Sequence, residues 1–179
     1  MGEAVSLPAL APDVAAAVAR WRGVFRASAA RRVALSVDDR VSFAGALLAA
    51  WAEGKQVVLP GDTLAATVAA LGPHVDAFAG DFPGALQPGA PLDAPLPGFD
   101  REREGVVVFT SGSTGAPLAI PKKLRQLFDE VQALEACVGA RVPAGAAVVA
   151  TVSHQHIYGL LFSVLWPLAT GRGVTARRY

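Results

Sequence analysis

Val106-Val107-Val108-Phe109 is a run of β-branched and aromatic residues that breaks into Thr110-Ser111-Gly112-Ser113-Thr114-Gly115, six residues that are each hydroxylated or glycine. The first half reads as a buried strand and the second as a flexible polar loop. Glycines let the backbone curl so that consecutive N–H groups point at one spot, and the flanking hydroxyls add donors. Such a loop is a cradle for phosphate oxygens. It is not a Walker loop, because no Lys-Ser or Lys-Thr pair follows a glycine at the required spacing. Composition alone leaves a plain linker as good a reading as phosphate binding.

A strand of this kind needs neighbours, and the chain before it supplies them. Val14, Val18, Trp21 and Phe25 recur at helical spacing after Pro12-Asp13, which suit a first helical turn. Val33 to Val37 reads as a strand, Asp38-Asp39 as a turn, and a helix enters near Ser42 with Phe43, Leu47, Leu48 and Trp51 on one face, ending at Gly54. Gln56 to Leu59, closed by Pro60-Gly61, reads as a parallel strand. Asp62 or Thr63 can cap a helix lined by Leu64, Val68 and Leu71, and Val75 to Ala79 reads as a further strand. This β-α rhythm predicts an α/β fold, a mostly parallel sheet flanked by helices. Residues 1–179 are expected to form one unit: a loose arm over 1–11, a first β/α half over 12–79, a Pro-rich connection over 80–104, and a phosphate-loop half over 105–179.

Beyond the loop, Pro121 suits a first helical position, and Leu124, Leu127, Phe128, Val131, Leu134 and Val138 mark one helix face. The expected helix points its N-terminus at the loop, where its dipole would favour an anion. Ala146 to Val152 reads as a strand delivering Ser153-His154-Gln155-His156, and a final helix runs from about Ile157 to Thr170, stopped by Gly171. Two histidines at i and i+2 read as a metal pair, a catalytic group or packing. No cysteine cluster or HExxH pattern supports a metal, and none is expected.

Taken together, Phe109 to Pro117 resembles the phosphate-loop signature of the AMP-forming adenylating enzymes, which include acyl-CoA synthetases and aryl-acid ligases. His156-Ile157-Tyr158-Gly159-Leu160 resembles that family's His-x-x-Gly segment after the next strand. The resemblance implies the opening part of the large N-terminal domain and an ATP- and Mg²⁺-dependent reaction: a carboxylic acid is adenylated, then passed to a thiol acceptor, CoA or a carrier protein. It implies that Thr110, Ser111, Gly112, Ser113, Thr114 and Gly115 cradle phosphates and that His156 borders the reacting carboxylate. His154 has no counterpart in the motif and is read as structural. One departure stands out. Family members place Lys-Gly after the proline, whereas Pro117 is followed by Leu118-Ala119, so that either Lys122 (or Lys123) takes over the phosphate contact or neither does and the loop is a relic.

The family's adenine-, ribose- and magnesium-binding motifs and its catalytic lysine are expected downstream of Tyr179. The chain is therefore expected to need a completing polypeptide for activity. Its alternatives are a non-catalytic nucleotide- or phosphate-binding module, or an interaction subunit that self-associates through an exposed sheet edge. A net charge of +1 argues against a nucleic-acid partner. The lone Cys137 excludes an internal disulfide and reads as a buried or half-buried bystander. Ile157 to Ala169 is too short to span a bilayer, and the N-terminus lacks a secretory pattern, so the expectation is a cytoplasmic protein with no membrane span.

Overall fold

The computed structural model describes residues 4–110, 118–143 and 145–176, with Thr110 and Leu118 described by their backbones. Ten elements build the main body. They are α1 (Pro12–Ala27), β2 (Arg32–Ser36), α2 (Arg40–Ala52), β3 (Gln56–Leu59), α3 (Ala65–Leu71), β4 (Ala77–Gly80), β6 (Glu104–Thr110), β7 (Leu118–Lys123), α4 (Leu124–Val138) and a last helical stretch over 157–170. Two short strands, β1 (Ala4–Val5) and β5 (Phe99–Asp100), pair antiparallel, which ties the beginning of the chain to the end of the Pro-rich connection. Another short pair, β8 (Ala147–Val148) and β9 (Gly173–Val174), is parallel.

The central sheet has the order β4-β2-β3-β6-β7. The first four strands are parallel, and β7 returns antiparallel to β6. On one face Val33, Leu35, Val57, Leu59, Val106 and Val108 are covered by α1, α2, α4 and the last helix, whose Val14, Trp21, Phe25, Phe43, Leu47, Trp51, Leu124, Leu160 and Leu165 complete the core. On the other face Ala34, Val58 and Val107 meet Leu71 of α3 and Phe82. Trp51 joins layers: its Nε1 donates to the Gly105 carbonyl at 2.9 Å, and its ring packs edge-on against Phe99 and Phe128. Buried Arg22 ties down the connection by donating to Glu53 at 2.8 Å and to the carbonyls of Ala94 and Pro95 at 2.7 and 2.9 Å.

Several expectations change. Pro121 lies inside β7 rather than at a helix start, and α4 begins at Leu124. The segment Leu118–Lys123 gains a ladder with β6, and on an edge strand the missing proline N–H need not be paired. Consequently the N-terminus of α4 does not face the loop. Leu124 N donates to Arg103 O at the start of β6, while the loop leaves from the end of β6, so β7 carries the chain back across the sheet before the helix starts. The strand expected over 146–152 shortens to Ala147–Val148, and that over 75–79 becomes Ala77–Gly80. Cys137 is exposed, since α4 buries Leu124, Leu127, Phe128 and Val131 and turns outward beyond them. The last helix is a turn of α (Ile157–Leu160), a π-helical segment (Leu161–Leu165) and a further turn (Trp166–Thr170), stopped by Gly171 at φ 68°.

Among the described residues no helix is long and apolar enough to cross a membrane. The outer side of β4 is met by the chain after it, with Gly80 N donating to Leu86 O and Leu86 N to Phe78 O. The outer side of β7 is the sheet's open edge among the described residues, and it carries Pro121 and two lysines, residues that discourage further pairing.

Candidate functional site

Because β2, β3, β4 and β6 are parallel, their C-terminal ends share one edge of the sheet. The chain leaves β2 toward α2 on the thick face and leaves the neighbouring β3 toward α3 on the other. Ligands of open α/β sheets bind at such an edge, outside the carboxyl ends of the strands. Thr110 ends β6 there. Ser111, Gly112, Ser113, Thr114 and Gly115, expected to form a phosphate loop, lie outside the described residues, as does the side chain of Thr110.

The loop bearing both histidines sits on the same edge. His154 Nε2 lies 2.8 Å from the carbonyl oxygen of Val37, just past β2, and the imidazole packs edge-on against Phe43 with ring centroids 4.6 Å apart. Burial, reinforced by the nearby Arg40 guanidinium, holds the His154 imidazolium below its ordinary range, although the bond to Val37 and the charges of Asp38 and Asp39 oppose this. His156 is exposed and opens the last helix, accepting from Leu160 N at 2.8 Å. The strand ends of β2 and β6 are separated by β3, so the anchor of the histidine loop and the start of the phosphate loop are about 10 Å apart, two ladder spacings.

Charge divides the edge. Asp38 and Asp39 follow β2, Asp62 follows β3 and Asp81 follows β4, whereas no acidic residue lies between Thr110 and Lys123. The aspartates are committed to turns: Asp39 accepts from Ser42 N at 2.7 Å, Asp62 from Leu64 N at 2.9 Å, and Asp81 from Asp38 N at 2.7 Å.

Lys122 occupies a different place. It pairs in register with Val106, four positions from Thr110, about 13 Å along the strand at ~3.3 Å per residue and beyond the roughly 6 Å reach of a lysine stem. Lys123 is engaged with Glu102 at 2.8 Å. Among the described residues no group of three or more His, Cys, Asp or Glu side chains could hold a metal ion.

Sequence reading passed over Arg40. It is fully buried, its backbone N–H donates to Ala176 O at 2.9 Å, and its Nη1 donates to Thr175 O and Oγ1 at 3.0 and 2.7 Å. The available sign was an arginine between a capping aspartate and an apolar helix face, which is equally the pattern of a solvated first turn.

As a sequence the chain matches no family model and no curated protein. As a structure it shares its fold with solved proteins. O-succinylbenzoate coenzyme A synthetase from Bacillus subtilis, in complex with AMP, superposes with a TM-score of 0.74 over 93% of this chain at 14% identity. A malonyl-CoA ligase holding methylmalonyl-CoA and AMP gives 0.71 over 93% at 23% identity, and an acyl-CoA synthetase from Brucella canis 0.62 over 93% at 19%. The fold is that of the AMP-forming adenylating enzymes. The chain spans 48%, 38% and 36% of the length of those three chains. At these identities the likeness is one of fold, and the α/β architecture expected from the sequence is the one found.

Proposed function

We propose that this chain is the phosphate-loop-bearing part of an ATP-dependent carboxylic-acid adenylating ligase, which forms an acyl- or aryl-adenylate and passes the acyl group to a thiol of CoA or a carrier protein. The observation that supports it most is the shared edge. The strand that runs into Thr110-Ser111-Gly112-Ser113-Thr114-Gly115 ends about two ladder spacings from the anchor of the loop presenting His156, on the same edge of the sheet. Phosphates at the loop and a carboxylate beside His156 would then meet.

In this reading the carboxylate oxygen attacks the α-phosphorus of ATP, and the bond to the β,γ-diphosphate breaks, the electron pair leaving with pyrophosphate. The loop's N–H and hydroxyl donors hold the β- and γ-phosphates in line and stabilise the charge that collects on the leaving group. Exposed His156 borders the carboxylate. Magnesium, when bound with the nucleotide, would supply charge neutralisation on the phosphates. Lys122, so far along β7, contributes at most a screened field. Completion by a further polypeptide belongs to the same reading, since the solved relatives are more than twice as long as the matched part.

Calorimetric titration of MgATP and of pyrophosphate into this chain tests the reading. Saturable binding that disappears in a Ser113→Ala, Thr114→Ala variant is expected. Absence of binding by the folded wild type would overturn it.

One observation favours a second reading. Lys122 is out of reach in register and Lys123 is paired with Glu102, so a loop without its usual lysine could serve a phosphate-binding module that performs no acyl activation. Pyrophosphate binding that no completing polypeptide converts into acid-dependent adenylation would select it.

A further inference from the structure

Two histidines, two residues apart, meet opposite environments. His154 is 5% exposed, whereas His156 faces solvent. A carbonyl oxygen can only accept, so the contact with Val37 O assigns the hydrogen to Nε2 of His154. With the ring buried against Phe43 and the Arg40 guanidinium nearby, a second proton on Nδ1 is disfavoured, and the group is a neutral imidazole with one fixed donor.

The acceptor belongs to a junction. The Val37–Arg40 turn receives His154, donates through Asp38 N to Asp81, and binds Thr175 and Ala176 through Arg40. On the other side of His156, Gly159 packs so closely on the loop that a Cβ there would run into the Ser153 carbonyl oxygen. Buried Ser163, in the π-helical segment, donates to Gly159 O at 2.6 Å. The backbone of His156 is thus suspended between two anchors, and among the described residues its own backbone bonds are His156 N to Ser153 O at 3.3 Å and Leu160 N to His156 O at 2.8 Å.

We propose that His154 is the positioning residue for His156: its neutral Nε2–H clamps the loop to the end of β2 and fixes where His156 stands on the strand-end edge. The consequence for chemistry rests on the reading of His156 as the neighbour of the carboxylate; the clamp itself does not. Its energetic sense follows from the sign of the shift. A base held below its unfolded value contributes stability above that value and loses it as pH falls through the folded one. Acidification is therefore expected to release this loop.

The test uses the 179-residue chain with two variants. His154→Phe keeps a ring against Phe43 and removes the donor, and His154→Gln restores a donor without the ring. Long-range ¹H–¹⁵N spectra of the wild type should show the Nε2–H tautomer for His154 at neutral pH. Amide exchange at His156 and Leu160 should rise about fivefold in His154→Phe, the worth of one neutral hydrogen bond, with α2 and β2 unaffected, and return to within about twofold of wild type in His154→Gln. An Nδ1–H tautomer overturns the proposal, as does unchanged exchange in His154→Phe or failure of glutamine to restore it. Should His154→Phe not fold, the tautomer and the glutamine variant still decide. The same samples are titrated with MgATP and pyrophosphate. A clamp confirmed in a wild type that binds neither ligand removes the nucleotide reading and leaves the positioning, whereas ligand binding with no change in exchange does the reverse.

Discussion

On one face of the sheet, Val33, Leu35, Val57, Leu59, Val106 and Val108 lie beneath four helices and the aromatic cluster around Trp51. On the other, Ala34, Val58 and Val107 meet little more than Leu71 of α3 and Phe82, with Val68, Val75, Phe78 and Phe109 only partly covered. The difference lies in the residues themselves. Helices α1 and α2 are long and carry several large apolar side chains at helical spacing, while α3 spans seven residues, well below the length at which a helix holds itself together in water. Stability is therefore concentrated on the face that also carries the anchor of the histidine loop, and the other face depends on tertiary contact for its very helix.

The sharpest way to break this comparison is to remove the joint of the thick face. Trp51→Ala deletes a buried ring and the Nε1 donor to the Gly105 carbonyl, and a loss of about 4 kcal/mol is expected in urea unfolding. Leu71→Ala on the thin face should cost less, about 2 kcal/mol, because its half-covered neighbours can close over the gap. Equal losses in the two variants would abolish the asymmetry.

Acid should act on the thick face first. Burial alone would raise the Glu53 carboxyl, but hydrogen bonds from Arg26 and Arg22 more than offset it and leave the group below its ordinary value of 4.5. A depressed carboxylate contributes stability above its unfolded value and loses it as pH falls through the folded one, so the wild type should lose stability progressively below about pH 4.5. Glu53→Gln should flatten that limb while lowering stability at neutral pH; an identical acid limb would show that the Arg22-Glu53-Arg26 group does not couple to folding. The smallest effect belongs to the open edge. Lys122→Ala should leave the unfolding midpoint in place and change pyrophosphate affinity less than about twofold, a screened effect at that distance, against complete loss in the loop variant. A tenfold drop would put Lys122 in contact with the phosphates after all.

Much of the α/β body was legible residue by residue. Gln56–Leu59 is the strand its apolar run predicted, α1 buries Val14, Val18, Trp21 and Phe25 as their spacing predicted, and Gly171 stops the last helix. Of the candidate site, a strand ending at Thr110 and a histidine on a later loop were legible. Its arrangement was not. Leu118–Lys123 contains a proline and two lysines and has no period long enough to mark a strand, so only pairing with β6 turns it into β7 and moves α4 away from the loop. His154 and His156 are indistinguishable by composition, and only docking against Val37 and Phe43 buries one of them.

The sequence by itself determined which segments could be buried helices and strands, because that depends on side chains a few residues apart along one face. Tertiary structure decided which end of the sheet each group occupies, which histidine is buried, and how far Lys122 lies from the end of β6. Those depend on backbone ladders and burial between residues distant in the chain, as with His154 and Val37, separated by 117 positions, and no local pattern encodes them.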